Sequence, residues 1–180
     1  MDGLACPAQL LRNDTPMQEL ILRTMQDTLA LGERLGREAG AGSVIALSGG
    51  LGAGKTHLTK GIVAGLEGDP EGVGSPTFSL VQEYPGGRLP VFHFDFYRLA
   101  SAAEVLAMGW DEYAEAGGVC VVEWADLFPE LLPEKTQWWK LEFEADGVRR
   151  ATQGKDNCLR RQTAGSGLRL GRPRLQGLEK

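Results

Sequence analysis

The stretch Ser43 to Thr56, SVIALSGGLGAGKT, joins a short apolar run to a glycine-rich turn, a lysine and a threonine. Gly49, Gly54, Lys55 and Thr56 meet the spacing G-x-x-x-x-G-K-[ST] of a phosphate-binding loop, here Gly49, Gly50, Leu51, Gly52, Ala53, Gly54, Lys55 and Thr56. Glycines let successive backbone N–H groups converge on an anion with no Cβ in the way. Val44 to Leu47 reads as a buried strand, and Leu58, Ile62 and Leu66 recur at helical spacing after Lys55. A strand, a loop and a helix in this order place roughly half a positive charge at the helix N-terminus against a phosphate. Lys55 adds a mobile full charge for the β- and γ-phosphates, and the Thr56 hydroxyl is placed for magnesium. The stretch therefore predicts nucleotide binding with Mg2+.

The chain has 180 residues, enough for one α/β domain with a substantial core and too few for two. Its formal charge of −5 hides an asymmetry: Met1 to Val148 carries 10 Lys and Arg against 22 Asp and Glu, whereas Arg149 to Lys180 carries 9 against 2. An acidic body does not invite DNA or RNA along its whole surface, so nucleic acid is expected only locally or through a partner. Cys6, Cys120 and Cys158 show neither disulfide nor zinc spacing. No leader or membrane-length apolar run is present, so a cytoplasmic location is expected.

Around the loop, residues 1–18 read as an N-terminal extension, 19–146 as the domain, and 147–180 as a basic, mobile tail. Glu19 to Arg23 is read as a strand, followed by Thr24 and Asp27 as a helix start. The rival reading is one long helix from Thr15. Phe78 to Tyr84 and Leu89 to Tyr97 form an expected hairpin across Pro85-Gly86-Gly87. Ser101 and Glu104 form a capping box for a helix to about Met108, Val119 to Val122 is a buried strand, and Trp138 to Phe143 is the last expected strand. The fold class implied is α/β, a P-loop NTPase fold with a mostly parallel central sheet flanked by helices and an antiparallel hairpin contribution.

A P-loop hydrolase also needs a carboxylate near its metal. Glu123, at the carboxyl end of VCVVE, is the first choice as a metal residue; the bland alternative is a strand-end carboxylate capping a neighbouring loop. Asp95, between Phe94 and Phe96, needs a partner if buried: a pairing with Arg98 is the bland reading, a catalytic residue that positions water or acts as a base the functional one, and the two are compatible. Thr77, after Ser75-Pro76, lies where switch segments turn a hydroxyl toward the γ-phosphate or magnesium. His57 and His93 lack metal-ligand spacing and read as ordinary residues, His93 as a strand residue. The absence of an N-K-x-D element favours ATP over GTP.

Taken together, TLALGERLG (Thr28 to Gly36), LGAGKT (Leu51 to Thr56), SPTFSLVQEY (Ser75 to Tyr84), HFDFYRL (His93 to Leu99), Glu104 with Gly109, and VVEW (Val121 to Trp124) resemble the TsaE family, formerly called YjeE. The resemblance runs from about Glu19 to Phe143. It implies slow ATP hydrolysis in the bacterial system that places threonylcarbamoyl on the tRNA adenosine next to the anticodon. It also implies TsaD and TsaB as partners, with tRNA met indirectly through the complex and the ATPase not transferring the group itself. By the family's pattern, Gly52 to Thr56 hold phosphates, Thr56 and Glu123 bind magnesium, Asp95 is the hydrolysis residue, Thr77 lies in a switch-like segment and Trp124 lies near the nucleotide. The chain departs from the pattern at Gly50, where the family usually has Asp, at His57, where it has a small hydroxyl residue, and in the ending after about Arg150. A small-molecule or nucleotide kinase shares the loop, but only Arg88 and Arg98 stand between Gly61 and Gly118 to furnish a lid. A nucleotide-dependent binding module without turnover is the third possibility.

Overall fold

The computed structural model describes residues 18–154. The N-terminal extension up to residue 17 and the chain beyond residue 154, with Cys6 and Cys158, lie outside the described residues. In chain order the elements are β1 (Gln18–Leu22), α1 (Met25–Glu38), β2 (Val44–Ser48), α2 (Lys55–Gly65), β3 (Val81–Tyr84), β4 (Val91–Asp95), α3 (Ala102–Ala107), α4 (Trp110–Glu115), β5 (Val119–Glu123), β6 (Gln137–Phe143) and β7 (Arg149–Gly154). They build a seven-stranded sheet in the order β1-β7-β6-β2-β5-β4-β3. The four central strands, β6, β2, β5 and β4, run parallel, and β3, β7 and β1 extend them by antiparallel pairing.

Side-chain parity divides the core. Ile45, Leu47, Val91, Val119, Val121, Trp139 and Leu141 pack on the helix layer of α1 and α2 through Leu31, Leu35, Leu58 and Ile62. Val44, Ala46, Phe92, Phe94, Cys120, Val122 and Trp138 pack on the other layer with Val105, Trp110 and Phe128. Strands β2, β4 and β5 are covered on both faces and buried at every position, which is why they read as largely apolar runs. The Cys120 thiol belongs to this interior, where burial pushes its pKa up to about 12 and holds it as an inert small hydrophobe.

Helix α1 starts with a reciprocal cap in which the Asp27 N–H donates to Thr24 Oγ1 and the Thr24 N–H donates to Asp27 Oδ2. The separate strand β1 before it bears out the strand reading over the long helix. Helices α1 and α2 meet backbone to backbone through Gly32 and Gly36 of one and Gly61 and Gly65 of the other. A Cβ on Gly61 would lie 2.3 Å from the Leu29 carbonyl and 2.9 Å from the Gly32 Cα. No side chain fits that crossing.

Two expectations need correction. The sheet does not end at Phe143: β7 pairs with β6 on one side and β1 on the other, so residues 149–154 belong to the domain rather than to a tail. Arg149, Arg150, Thr152 and Gln153 hid this strand, because a strand whose charged residues pair at the sheet surface lacks an apolar signature; Arg150 is bound by Glu19 and Glu144. The first hairpin strand begins at Val81 rather than Phe78, since Leu80 sits at φ +68° and its N–H donates to the Pro76 carbonyl at 2.6 Å. Residues 75–80 are thus a turn that leaves Phe78 88% exposed. Gly109, at φ +82°, ends α3 as expected but also opens α4, whose Trp110 is buried with its indole N–H donating to the Leu131 carbonyl.

The glycine crossing yields a direct test. Gly61→Ala should cost about 3 kcal/mol by overpacking backbone on backbone, read as a lowered urea midpoint. Gly50→Ala, where a Cβ meets nothing within 4 Å, should change stability by less than about 0.5 kcal/mol.

Candidate active site

Strand β2, at the centre of the sheet, ends at Ser48 and delivers the glycine loop at the carboxyl ends of the parallel strands. Gly49 takes φ +134° against the β6 backbone, where a Cβ would lie 2.1 Å from the Leu141 carbonyl. Gly54 takes φ +105° and opens α2 with no side-chain cap. The first N–H groups of α2 are therefore free of intrahelical and side-chain acceptors, the condition for an anion at a helix N-terminus.

Lys55 is buried, and its ammonium donates to the Gly49 and Gly50 carbonyls at 2.8 and 3.0 Å. It also lies 4.1 Å from the centre of the Trp124 ring. Burial lowers the Lys55 pKa, and the charges of Glu123, Asp95 and Asp126 oppose that shift. Trp124 adopts φ +57°, a left-handed conformation that costs a residue with a Cβ about 1 kcal/mol or more. That turn, directly after β5, brings the indole over Lys55 and against the Tyr97 ring at 4.8 Å.

Parallel register brings the acids together. Asp95 of β4 is opposite Glu123 of β5, and Glu123 is opposite Leu47 of β2, so both carboxylates stand at the strand ends beside the loop. Glu123 Oε1 accepts from the Thr56 hydroxyl at 2.8 Å and faces His93 Nε2 at 2.9 Å. Burial favours the neutral form of Glu123, but the bonds and charge of His93, with Thr56 and Lys55, outweigh it and hold the carboxyl below its ordinary range. Asp95 Oδ2 accepts from the Thr77 hydroxyl at 2.5 Å and Oδ1 accepts from the Tyr97 N–H at 2.8 Å. Here burial prevails and raises the pKa, although those two hydrogen bonds pull it back.

The structure brings together Lys55, Thr56, Thr77, Asp95, Glu123 and Trp124. It does not pair Asp95 with Arg98, whose guanidinium lies instead 5.1 Å from the centre of the exposed Phe78 ring. Two residues of the site were missed. His93 is fully buried on the Glu123 carboxylate, and the signal was parity: positions 93 and 95 of one strand share a face, so the acid and the histidine point the same way. Arg149, assigned above to the tail, donates from Nε to the Ala53 carbonyl at 3.1 Å and stacks on Phe143 at 4.6 Å, bracing the loop from the β7 side. The half-buried His57 has its pKa lowered by burial, then by Lys60 and Arg149.

The family model described as "Threonylcarbamoyl adenosine biosynthesis protein TsaE" matches residues 22–152 of this chain. The chain belongs to the TsaE family. The match runs into β7, past the Phe143 at which the sequence resemblance stopped. The TsaE tRNA threonylcarbamoyladenosine biosynthesis protein of Bacillus subtilis is 41% identical over 138 residues, covering 76% of this chain and 85% of that one. Its Treponema pallidum counterpart is 43% identical over 132 residues, covering 73% and 96% respectively. The crystal structure of Bacillus subtilis YdiB superposes with a TM-score of 0.64 at 31% identity, covering 84% of this chain and 93% of that one.

The contact between Lys55 and Trp124 supplies an optical readout. Addition of ATP should change tryptophan emission in the unaltered protein; Lys55→Ala should abolish binding measured by calorimetry, and Trp124→Phe should remove the emission change while calorimetric binding persists.

Proposed function

We propose that this chain is a magnesium-dependent ATPase that supports threonylcarbamoyladenosine modification of tRNA, working in the cytoplasm with TsaD-like and TsaB-like proteins and meeting tRNA only through them. The observation that carries the reading is the convergence of an uncapped helix N-terminus, Lys55, Thr56 and two buried carboxylates from adjacent parallel strands. Membership of a family whose members are named for tRNA threonylcarbamoyladenosine biosynthesis supports the pathway.

The residues fit magnesium. Thr56 Oγ1 and Glu123 Oε1 are hard oxygen donors 2.8 Å apart beside the loop. Among the described residues no group of three His, Cys, Asp or Glu forms a metal cage, in keeping with an ion held by one or two protein oxygens together with substrate phosphates. When bound there, magnesium supplies charge neutralisation for the phosphates. The loop N–H groups and Lys55 hold the phosphates, exchanging the carbonyl contacts of Lys55 for phosphate oxygens. Asp95 orients the attacking water and takes its proton, a role suited to a buried carboxylate with raised proton affinity. Thr77 fixes the carboxylate through Oδ2 and is itself held by Ser75, hydroxyl to hydroxyl at 2.8 Å. Base preference follows from the missing N-K-x-D element and favours ATP.

Phosphate release from Mg-ATP is the test. The protein alone should release little phosphate, a TsaB–TsaD pair should stimulate it, and Asp95→Ala should keep ATP binding while losing hydrolysis by about a hundredfold or more. Indifference to the pair, with ADP formed only when a small acceptor is supplied, would make the protein a kinase.

A further inference from the structure

His93 is wholly buried, and the ATPase reading gives it no role. It sits at the centre of a polar chain inside the α2 face of the sheet. Its Nε2 is 2.9 Å from Glu123 Oε1 and 3.5 Å from Thr59 Oγ1, while its Nδ1 is 3.4 Å from the Tyr84 hydroxyl. An ionised carboxylate only accepts, so Nε2 carries the proton toward Glu123. Thr59 in turn donates to the Lys55 carbonyl at 3.1 Å in the first turn of α2. The Tyr84 hydroxyl lies 3.4 Å from the Gly74 carbonyl and 2.7 Å from Gln82 Oε1, which fixes the far edge of the imidazole to the start of the switch-like segment. Both bonds to Glu123, from Thr56 and from His93, fall on the same oxygen, Oε1.

Packing alone does not account for this arrangement. The neighbouring positions Val91, Val119 and Val121 on the same face are aliphatic and fill the space against α2. A buried imidazole in their midst is desolvated, and it regains that cost only through bonds aimed at particular atoms. The aim here is the carboxylate that faces Thr56.

We propose that His93 is a positioning residue for the metal site: its Nε2–H sets the rotamer of Glu123 so that the carboxylate meets Thr56, and Tyr84 and Thr59 set the imidazole. The inference rests on the magnesium-nucleotide reading above. It predicts an effect on the metal and none on the nucleotide without metal. Groups that orient a metal-site carboxylate are typically worth ten- to a hundredfold in metal affinity.

Two polar substitutions isolate the atom concerned. In His93→Gln the side-chain amide reaches the Nε2 position and can still donate to Glu123; in His93→Asn it ends near the Nδ1 position and falls short. Both bury an amide, so a merely structural role would affect them alike. The full-length protein is saturated with ADP, and Mn2+ affinity is measured from the free-ion electron paramagnetic resonance signal, with ADP affinity in EDTA measured alongside. His93→Asn should weaken Mn2+ by about tenfold or more, His93→Gln should stay within about threefold of the unaltered protein, and all three should bind ADP equally in EDTA. Equal Mn2+ affinities for the two variants, whatever their value, would overturn the role given to His93. If the unaltered protein failed to bind ADP at all, the ATPase reading would fall, and the inference with it.

Discussion

The hydrogen bond from Thr56 to Glu123 closes the site. Thr56 belongs to the first turn of α2 and Glu123 to the last residue of β5, so one contact of 2.8 Å joins the loop's helix to the neighbouring strand. It forms only if β2 and β5 are parallel and in the register that sets Leu47 opposite Glu123. It also requires α2 to lie close on the sheet, where Leu58 and Ile62 pack against Ile45, Leu47 and Val121. A register slip of one residue would turn Glu123 into the opposite layer among Phe94, Val122 and Trp110.

Around that contact the protein accepts interactions that do not favour stability. Two carboxylates stand side by side in register with one ammonium between the loop and the strand ends. Their environments drive them apart: the bonds of His93 and Thr56 keep Glu123 charged, whereas burial raises the proton affinity of Asp95. Two carboxyl groups tuned in opposite directions are the pattern that the roles proposed above for Glu123 and Asp95 require. The left-handed Trp124 belongs to the same pattern, since its strained turn sets the indole against the Lys55 ammonium.

Much of this was legible in the sequence because it depends on local chemistry. The loop spacing, the Thr24–Asp27 cap, the apolar strands β2 and β5, and the pairing of Pro85-Gly86-Gly87 with a hairpin all follow from rules that act over a few residues. What escaped is non-local. Strand β7 carries Arg150, whose charge finds Glu19 and Glu144 only once β1 and β6 are alongside. Leu80 is an ordinary apolar residue in sequence, yet its positive φ converts the expected strand into the turn that presents Thr77 to Asp95. His93 lacks metal-ligand spacing; the parity it shares with Asp95 sets it on the same face, and only the register of β4 on β5 gives it Glu123 as a partner. Arg98 failed as the partner of Asp95 because that turn places Phe78 under its guanidinium instead.

Every role proposed for this site requires the glycine loop to bind a nucleoside triphosphate with magnesium. Calorimetric titration of the full-length protein with ATP and with GTP, each in excess Mg2+, tests it most directly. Saturable binding at one site, tighter for ATP than for GTP, is the predicted result. No binding of ATP up to about 1 mM, the upper end of ordinary enzyme substrate ranges, would contradict it.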